Sequence, residues 1–232
     1  DKTPIIDILA QTPPIPPGTQ WMTFLRNHDE LTLEMVTEEE RQWMWAQYAS
    51  HPRAKLNMGI RRRLAPLLDN DRGRWLTLNA LFLSLLGTPI LYYGDEIGMG
   101  DNLELDDRYG VRTPMQWSAE KNAGFTEADK TYLPVIDDPV YGYQRLNVAA
   151  QEEDDDSPLA WTRYLIRTRQ SQPALRAGAR ERVETGNNAV LAYRRTEGSN
   201  SVLCVFNLSA EVQPSGCIAD ADRVDLLSRE GR

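Results

Sequence analysis

The stretch PILYYGDEIGMG, residues 89–100, joins a short apolar run to a cluster of acids. The run Ile90–Tyr93 is bounded by Pro89 and Gly94, which is typical of a strand buried on both faces. A second apolar run, WMTFLRN at residues 21–27, also has the pattern of a buried strand. Because helical patterns separate the two strands, the sequence favours a right-handed parallel crossover and an α/β fold.

Three helices are predicted around these strands. Thr37 followed three residues later by Glu40 forms a capping-box pattern, which predicts a helix over residues 37–49. The segment GRWLTLNALFLSLL, residues 73–86, is apolar around most of its surface and predicts a helix buried on more than one side. Helical spacing returns in SPLAWTRYLIRTRQSQPAL, residues 157–175.

The pattern changes to period two from about residue 178. RERVET, AVLAYRRT, SVLCVFNLS and VQPSG are short β-rich runs separated by turn residues, which predicts an antiparallel meander. We therefore expect an α/β domain over residues 1–175 and a β domain over residues 176–232. Residues 95–157 show little periodicity, and so long an irregular segment is usually functional or covers a site.

Composition excludes several classes of function. The chain has 232 residues, a formal charge of −8 and a pI near 4.9, which argues against binding to a phosphate backbone. Its apolar runs are too short to span a bilayer. Cys204 and Cys217 are the only cysteines, too few for a disulfide framework and wrongly spaced for a zinc site, so we expect a cytoplasmic protein. We expect no cofactor, no metal, no nucleic acid and no membrane among its ligands.

Polar clusters follow both predicted strands, RNHDE after the first and GDE after the second. In parallel α/β barrels the residues just past the strand ends form the catalytic face. A carboxylate such as Asp29 could accept hydrogen bonds from vicinal hydroxyls and stabilise positive charge on a sugar ring, and His28 could donate to a hydroxyl. A structural ion pair or a cap explains the same pattern equally well.

Several motifs carry a resemblance to a known family. FLRNHDE resembles the motif that ends the seventh barrel strand in the alpha-amylase superfamily of glycoside hydrolases and transglycosylases. GTPILYYGDEIGM is similar to the eighth-strand motif, and RTPMQW to the segment that follows in glucosidase-like members. The resemblance implies the last two strands of a (β/α)8 TIM barrel with their helices, followed by an antiparallel β domain.

Longer matches narrow the expected activity. HDELTLEMVTEEER and LPVIDDPVYGYQRLNVAAQ resemble members of the superfamily that interconvert maltose and trehalose by intramolecular glucosyl transfer. The resemblance implies that Asp29 stabilises the transition state and that His28 is a neighbouring hydroxyl donor. It also implies that Glu30 and Glu34 face the acceptor glucose and that Arg112 completes the charge network. The expected ligands are therefore maltose, trehalose and glucose.

Three residues at the end of the second strand have two interpretations. Tyr93, Asp95 and Glu96 could contact the ligand directly, or they could form a network that orients the barrel rim. We favour the second interpretation.

The sequence lacks two groups that this chemistry needs. Retaining glycosyl transfer uses a carboxylate nucleophile and a carboxylic acid about 5 Å apart. The resemblance places both after earlier barrel strands, and neither motif occurs in this sequence. We therefore expect a fragment that is inactive alone, with the remainder of the barrel or a second chain covering its exposed strand edges. The alternatives are an alpha-glucosidase or alpha-amylase type of hydrolase and a non-catalytic carbohydrate-binding fragment.

Overall fold

A computed structural model describes residues 1–217 and 225–227 of the chain. It contains two compact units. The terminal unit comprises Asp1–Thr23, Ala80–Thr88 and the described part of Tyr164–Arg232, and the central unit comprises Phe24–Asn79 and Pro89–Arg163. The domain boundary near residue 175 stays a prediction.

The secondary structure elements of the described residues are numbered in chain order. The helices are α1 Thr3–Gln11, α2 Glu38–Tyr48, α3 Leu64–Leu67, α4 Arg72–Ser84, α5 Val148–Glu152, α6 Pro158–Ser171 and α7 Pro173–Ala177. The strands are β1 Met22–Thr23, β2 Leu31–Thr32, β3 Lys55–Leu56, β4 Gly59–Ile60, β5 Thr88–Pro89, β6 Ala179–Arg182, β7 Val190–Glu197 and β8 Asn200–Asn207. Short 3-10 helices lie at Pro52–Ala54, Asp95–Ile97, Tyr109–Val111 and Lys121–Gly124.

A small antiparallel sheet of order β2-β4-β3 positions the residues that follow the RNHDE motif. Leu31 pairs with Ile60, and Thr32 pairs with Gly59. A Cβ at position 59 would lie 2.6 Å from the carbonyl oxygen of Leu31, so only glycine permits this pairing. The sheet is anchored by a core cluster of Leu33, Ala49, Ala54 and Ile60. The RNHDE segment therefore leads directly into a strand whose backbone is fixed.

Helix α2 begins with the capping box that the sequence predicts. The backbone N–H of Glu40 donates to Thr37 Oγ1 at 3.3 Å, and the backbone N–H of Thr37 donates to Glu40 Oε2 at 2.8 Å. Both bonds satisfy N–H groups that helix geometry leaves without partners.

Removal of the Thr37 cap should weaken the fold. We expect Thr37→Ala to lower the free energy of unfolding by about 1 kcal/mol, because the helix loses its N-cap acceptor. Thr37→Ser keeps the hydroxyl and should stay close to wild type. Chemical denaturation of the three proteins checks this, and an equal loss in both variants would show that the cap is not the cause.

The terminal unit contains the sheet β6-β7-β8. In the long β7–β8 hairpin Leu191 lies opposite Phe206, and Tyr193 lies opposite Cys204. All four of these residues are buried. Three of the four predicted β runs contain these strands. The fourth, VQPSG at residues 212–216, forms no strand. Residues 218–224 and 228–232 of the predicted β domain lie outside the described residues.

The strand predictions for the α/β part were wrong in extent. β1 covers Met22–Thr23 and β5 covers Thr88–Pro89, and the run Ile90–Tyr93 is not a strand. Met22 and Phe24, expected inside, are 71% and 52% exposed. The physical reason is that a strand needs hydrogen-bonding neighbours, and among the described residues β1 and β5 pair only with each other. Helix α1 was not predicted from the sequence.

Candidate active site

Two arginines converge on one oxygen of Asp29. Arg112 Nη2 lies 2.8 Å from Asp29 Oδ1, and Arg108 Nε lies 2.9 Å from the same atom. The second oxygen, Oδ2, is 3.3 Å from His28 Nε2. The Asp29 side chain is 42% exposed and that of His28 is 64% exposed. One carboxylate oxygen is therefore bound by cations, while the other faces an accessible imidazole. We call His28, Asp29, Glu30, Arg108 and Arg112 the Asp29 cluster.

Glu30 shares Arg108 with Asp29. Arg108 Nη2 donates to Glu30 Oε1 at 3.1 Å, and Asn57 Nδ2 donates to the same oxygen at 2.7 Å. Arg108 Nε is also 2.9 Å from Glu30 Oε2, without hydrogen-bond geometry, so this contact is electrostatic. Burial acts to raise the pKa of Glu30, but the hydrogen bond from Asn57 and the charge of Arg108 outweigh it and lower the pKa. Glu30 is therefore held ionised.

Arg26 fixes the backbone beneath the cluster. It is 3% exposed, and its Nε donates to the carbonyl of Arg62 at 2.7 Å. Its Nη2 donates to the carbonyls of Asp29 and Ile60, both at 3.2 Å. On the other side, the N–H of Asp29 donates to Asn27 Oδ1 at 2.9 Å. Asp29 is thus held at both its backbone N–H and its carbonyl group.

Two tyrosines hold the segment that carries Arg112. The hydroxyl of Tyr92 donates to the carbonyl of Val111 at 2.7 Å, and the hydroxyl of Tyr93 donates to the carbonyl of Thr113 at 2.7 Å. Arg112 lies between these two anchored residues, and its Nε donates to the carbonyl of His28 at 2.9 Å. In this arrangement Tyr93 orients an arginine of the cluster rather than joining the cluster itself.

A buried ion pair supports the tyrosines. Arg63 is fully buried, its Nη1 donates to the carbonyl of Tyr93 at 2.6 Å, and its guanidinium lies 4.7 Å from the ring centres of Tyr92 and Tyr93. Asp95 Oδ1 lies 3.8 Å from Arg63 Nη1, too far for a hydrogen bond. Burial raises the pKa of Asp95 to about 6, although the charges of Arg63 and Arg26 act to lower it. Burial also raises the pKa of Glu96.

The raised pKa of Asp95 gives a pH dependence of known sign. The folded protein holds the Asp95 proton more tightly than the unfolded chain, so the favourable contribution of this group is present below about pH 4 and is lost as the pH rises through about 6. Asp95→Asn removes that dependence. The unfolding free energy of the variant relative to wild type should therefore rise by about 2 kcal/mol between pH 4 and pH 7. Urea denaturation at both pH values checks this, and a flat or falling difference would contradict it.

The structure brings four of the five residues expected at the site together: His28, Asp29, Glu30 and Arg112. Glu34 lies apart from their hydrogen bonds, in the exposed turn between β2 and α2, and its side chain makes no hydrogen bond or ion pair with the described residues. Sequence reasoning missed Arg108 and Arg26. The signal for Arg26 was its place in RNHDE, and that for Arg108 was its place in DDRYG.

A cavity of the central unit lies outside this cluster. A cavity of about 480 Å³ in the central unit is lined by Trp75, Tyr141 and Trp161 among others, and by none of the Asp29 cluster. Within residues 1–217 and 225–227, no three His, Cys, Asp or Glu side chains group as metal ligands. Among the described residues, none of the helices has the length and apolar composition of a transmembrane span.

Comparison with known proteins defines the class. Residues 61–178 match the alpha-amylase family model, described as the alpha amylase catalytic domain, so the chain belongs to this family. Its structural neighbours are TIM-barrel enzymes of the alpha-amylase superfamily. The trehalulose synthase MutB from Pseudomonas mesoacidophila has a TM-score of 0.56 and 25% identity, over 82% of this chain and 35% of that one.

Two curated relatives are more similar in sequence. The chain is 54% identical over 237 residues to a trehalose synthase of Pimelobacter sp., covering 100% of this chain and 40% of that protein. It is 56% identical over 218 residues to the trehalose synthase/amylase TreS of Mycobacterium tuberculosis, covering 92% of this chain and 36% of that protein. The chain therefore spans well under half the length of these relatives.

Proposed function

We propose that this chain contributes the Asp29 cluster to an enzyme that interconverts maltose and trehalose by intramolecular glucosyl transfer with retention. The observation that carries the proposal is the convergence of Arg108 and Arg112 on Asp29 Oδ1, which leaves Oδ2 for a ligand. The relatives named trehalose synthases, at 54% and 56% identity, support the choice of reaction.

Asp29 can act on the glucosyl unit without forming a bond to it. Cleavage of a glycosidic bond develops positive charge on the sugar ring, and a fixed carboxylate beside the ring stabilises that charge. The two arginines keep Asp29 in one orientation, since both reach Oδ1 from the two ends of the 3-10 helix Tyr109–Val111. Oδ2 can then accept hydrogen bonds from ring hydroxyls, and His28 can donate one.

The remaining chemistry requires residues outside this sequence. A carboxylate nucleophile would form a β-glucosyl enzyme, and a carboxylic acid would protonate the leaving glucose. The released glucose would then turn and attack through its anomeric hydroxyl, returning the proton to the same acid. Water competes for the intermediate, so a closed pocket favours isomerisation over hydrolysis.

The finer architecture is part of the same proposal. We propose that residues 1–175 supply the last two strands and helices of a (β/α)8 barrel, and that residues 176–232 belong to a C-terminal β domain. The exposed Met22, Phe24 and Ile90 would then contact the remainder of the barrel or a second chain. The free thiols of Cys204 and Cys217 fit a reducing, cytoplasmic location.

Product analysis tests the reaction. The complete protein encoded by the gene should convert maltose to trehalose, with little incorporation of labelled free glucose, because transfer is intramolecular. Glucose as the sole product would identify a hydrolase, and the name trehalose synthase/amylase of one relative makes that the second candidate. Binding of maltose without any product would identify a carbohydrate-binding protein instead.

Glu34 tests the acceptor side of the site. Its exposed carboxylate has no partner among the described residues, which leaves it free to accept hydrogen bonds from a released glucose. In the complete protein, Glu34→Ala should lower the ratio of trehalose to glucose roughly tenfold, equivalent to about 1.4 kcal/mol. Glu39→Ala, an exposed acid in the first turn of α2, is the matched control and should leave the ratio unchanged. Equal ratios for both variants would remove Glu34 from the acceptor site.

A further inference from the structure

We infer that Arg61 is a positioning residue for the Asp29 cluster: it clamps residues 103–107 and thereby holds Arg108 against Asp29 and Glu30. The inference deepens the proposed function and rests on it, because Arg108 matters only if Asp29 does. The hydrogen bonds of Arg61 go to residues outside the cluster.

The Arg61 side chain is a buried cation whose described hydrogen bonds all go to backbone carbonyls. It is 4% exposed. Its Nε donates to the carbonyl of Arg53 at 3.0 Å, and its Nη2 to that of Leu103 at 3.0 Å. Its Nη1 donates to the carbonyls of Leu105 and Asp107. Three of the four acceptors therefore lie in one five-residue loop.

The clamp ends directly before Arg108. Asp107 has φ of +46°, a left-handed conformation that costs free energy for a residue with a Cβ. The hydrogen bond from Arg61 to the Asp107 carbonyl stabilises this conformation at the residue that sets the direction of the next one. Arg53 adds an outer support, donating to the carbonyls of Leu103 and Glu104 at 2.6 Å each.

The chemistry of this contact requires arginine. Burial of a cation is unfavourable, and burial lowers the pKa of Arg61. A buried cation is therefore a costly way to stabilise a loop if stability is its only role. A planar guanidinium reaches several carbonyls in fixed directions, whereas lysine carries a single ammonium on a flexible stem. The fixed geometry of the guanidinium makes residues 103–107 rigid. Arg108 needs a rigid loop because it must stay in contact with the carboxylates of both Asp29 and Glu30.

A double-mutant cycle in the complete protein tests whether Arg61 acts through Arg108. We expect Arg61→Lys and Arg108→Lys each to lower kcat/KM for maltose consumption roughly tenfold, and the double variant to match Arg108→Lys within about twofold. Multiplied losses in the double variant would overturn the inference. Because the cycle follows maltose consumption, it is independent of whether the product is trehalose or glucose.

Arg195→Lys is the matched control. Arg195 is also a fully buried arginine that donates to carbonyls, those of Gly178 and Ser84, but it belongs to the terminal unit, whereas the residues of the cluster belong to the central unit. Its effect should multiply with that of Arg108→Lys. Non-additivity of the same size in this control would show that any buried arginine couples to the site, and would also overturn the inference.

Hydrogen exchange supplies a readout that does not need turnover. Peptides covering residues 103–108 and residues 28–31 should exchange faster in Arg61→Lys than in wild type or Arg195→Lys. For residues 28–31, addition of Arg108→Lys should cause no further increase. Failure of the complete protein to consume maltose would refute the proposed function, while unchanged exchange at residues 28–31 in Arg61→Lys would refute the inference.

Discussion

Replacement of Asp29 by asparagine should lower kcat/KM for maltose roughly 10³-fold in the complete protein, with a much smaller change in stability. Asparagine keeps the shape of the side chain but removes the charge that would stabilise the developing cation on the sugar. Arg108 would keep Glu30 and Asp107 as anionic partners, so the segment should stay folded. Initial rates over a range of maltose concentrations measure the effect.

Asp129→Asn provides the control for this substitution. Asp129 pairs with Lys121 at 3.4 Å on an exposed surface, and the same change of charge there should leave kcat/KM unchanged. A loss of less than about tenfold for Asp29→Asn would show that Asp29 is structural. That result would favour the structural ion pair as the explanation of the RNHDE cluster, an alternative that the sequence left open.

The second large effect concerns stability. Arg63→Met should lower the free energy of unfolding by about 3–5 kcal/mol, because it removes the nearest cation from a buried carboxylate. Asp95 is 4% exposed and Arg63 is fully buried. The variant also loses the hydrogen bond to the Tyr93 carbonyl and the contacts with both tyrosine rings. Denaturant unfolding measures the loss.

Two further variants separate the buried pair from a general effect of losing an arginine. Arg72→Met removes an exposed arginine whose Nη2 lies 2.6 Å from Asp156, and should cost only about 0–1 kcal/mol. The double variant Arg63→Met with Asp95→Asn should be more stable than the sum of the single effects, by about 1 kcal/mol or more, since no unpaired charge remains. Strict additivity would show that the two groups do not interact.

Local patterns were good predictors where the chain interacts with itself at short range. The Thr37 capping box and helix α2 follow from residues within one or two turns of each other. The β7–β8 hairpin likewise joins neighbouring runs across a two-residue turn. Helix α4 was predicted over residues 73–86 and runs over Arg72–Ser84. This prediction rested on a local pattern, a continuous segment with apolar residues around most of the helix surface.

Long-range contacts were not predictable in the same way. Arg108 lies 78 residues from Glu30 in sequence, and Arg61 reaches Asp107 across 46 positions. The position of an arginine in the sequence does not identify the distant carbonyl or carboxylate that accepts its hydrogen bonds. Arg112 was expected at the site only through the resemblance of RTPMQW to a known motif. The strand predictions were wrong for a related reason. The apolar residues 21–27 can form a buried strand only where neighbouring strands pair with them and cover them.

A crystal structure of the complete protein with glucose bound tests the central claim most directly. We expect ring hydroxyls of the sugar within about 3.2 Å of Asp29 Oδ2. Arg108 and Arg112 should remain on Oδ1, where they lie at 2.9 Å and 2.8 Å. Glucose bound elsewhere, with Asp29 Oδ2 turned onto an arginine and closed to the sugar, would contradict the account.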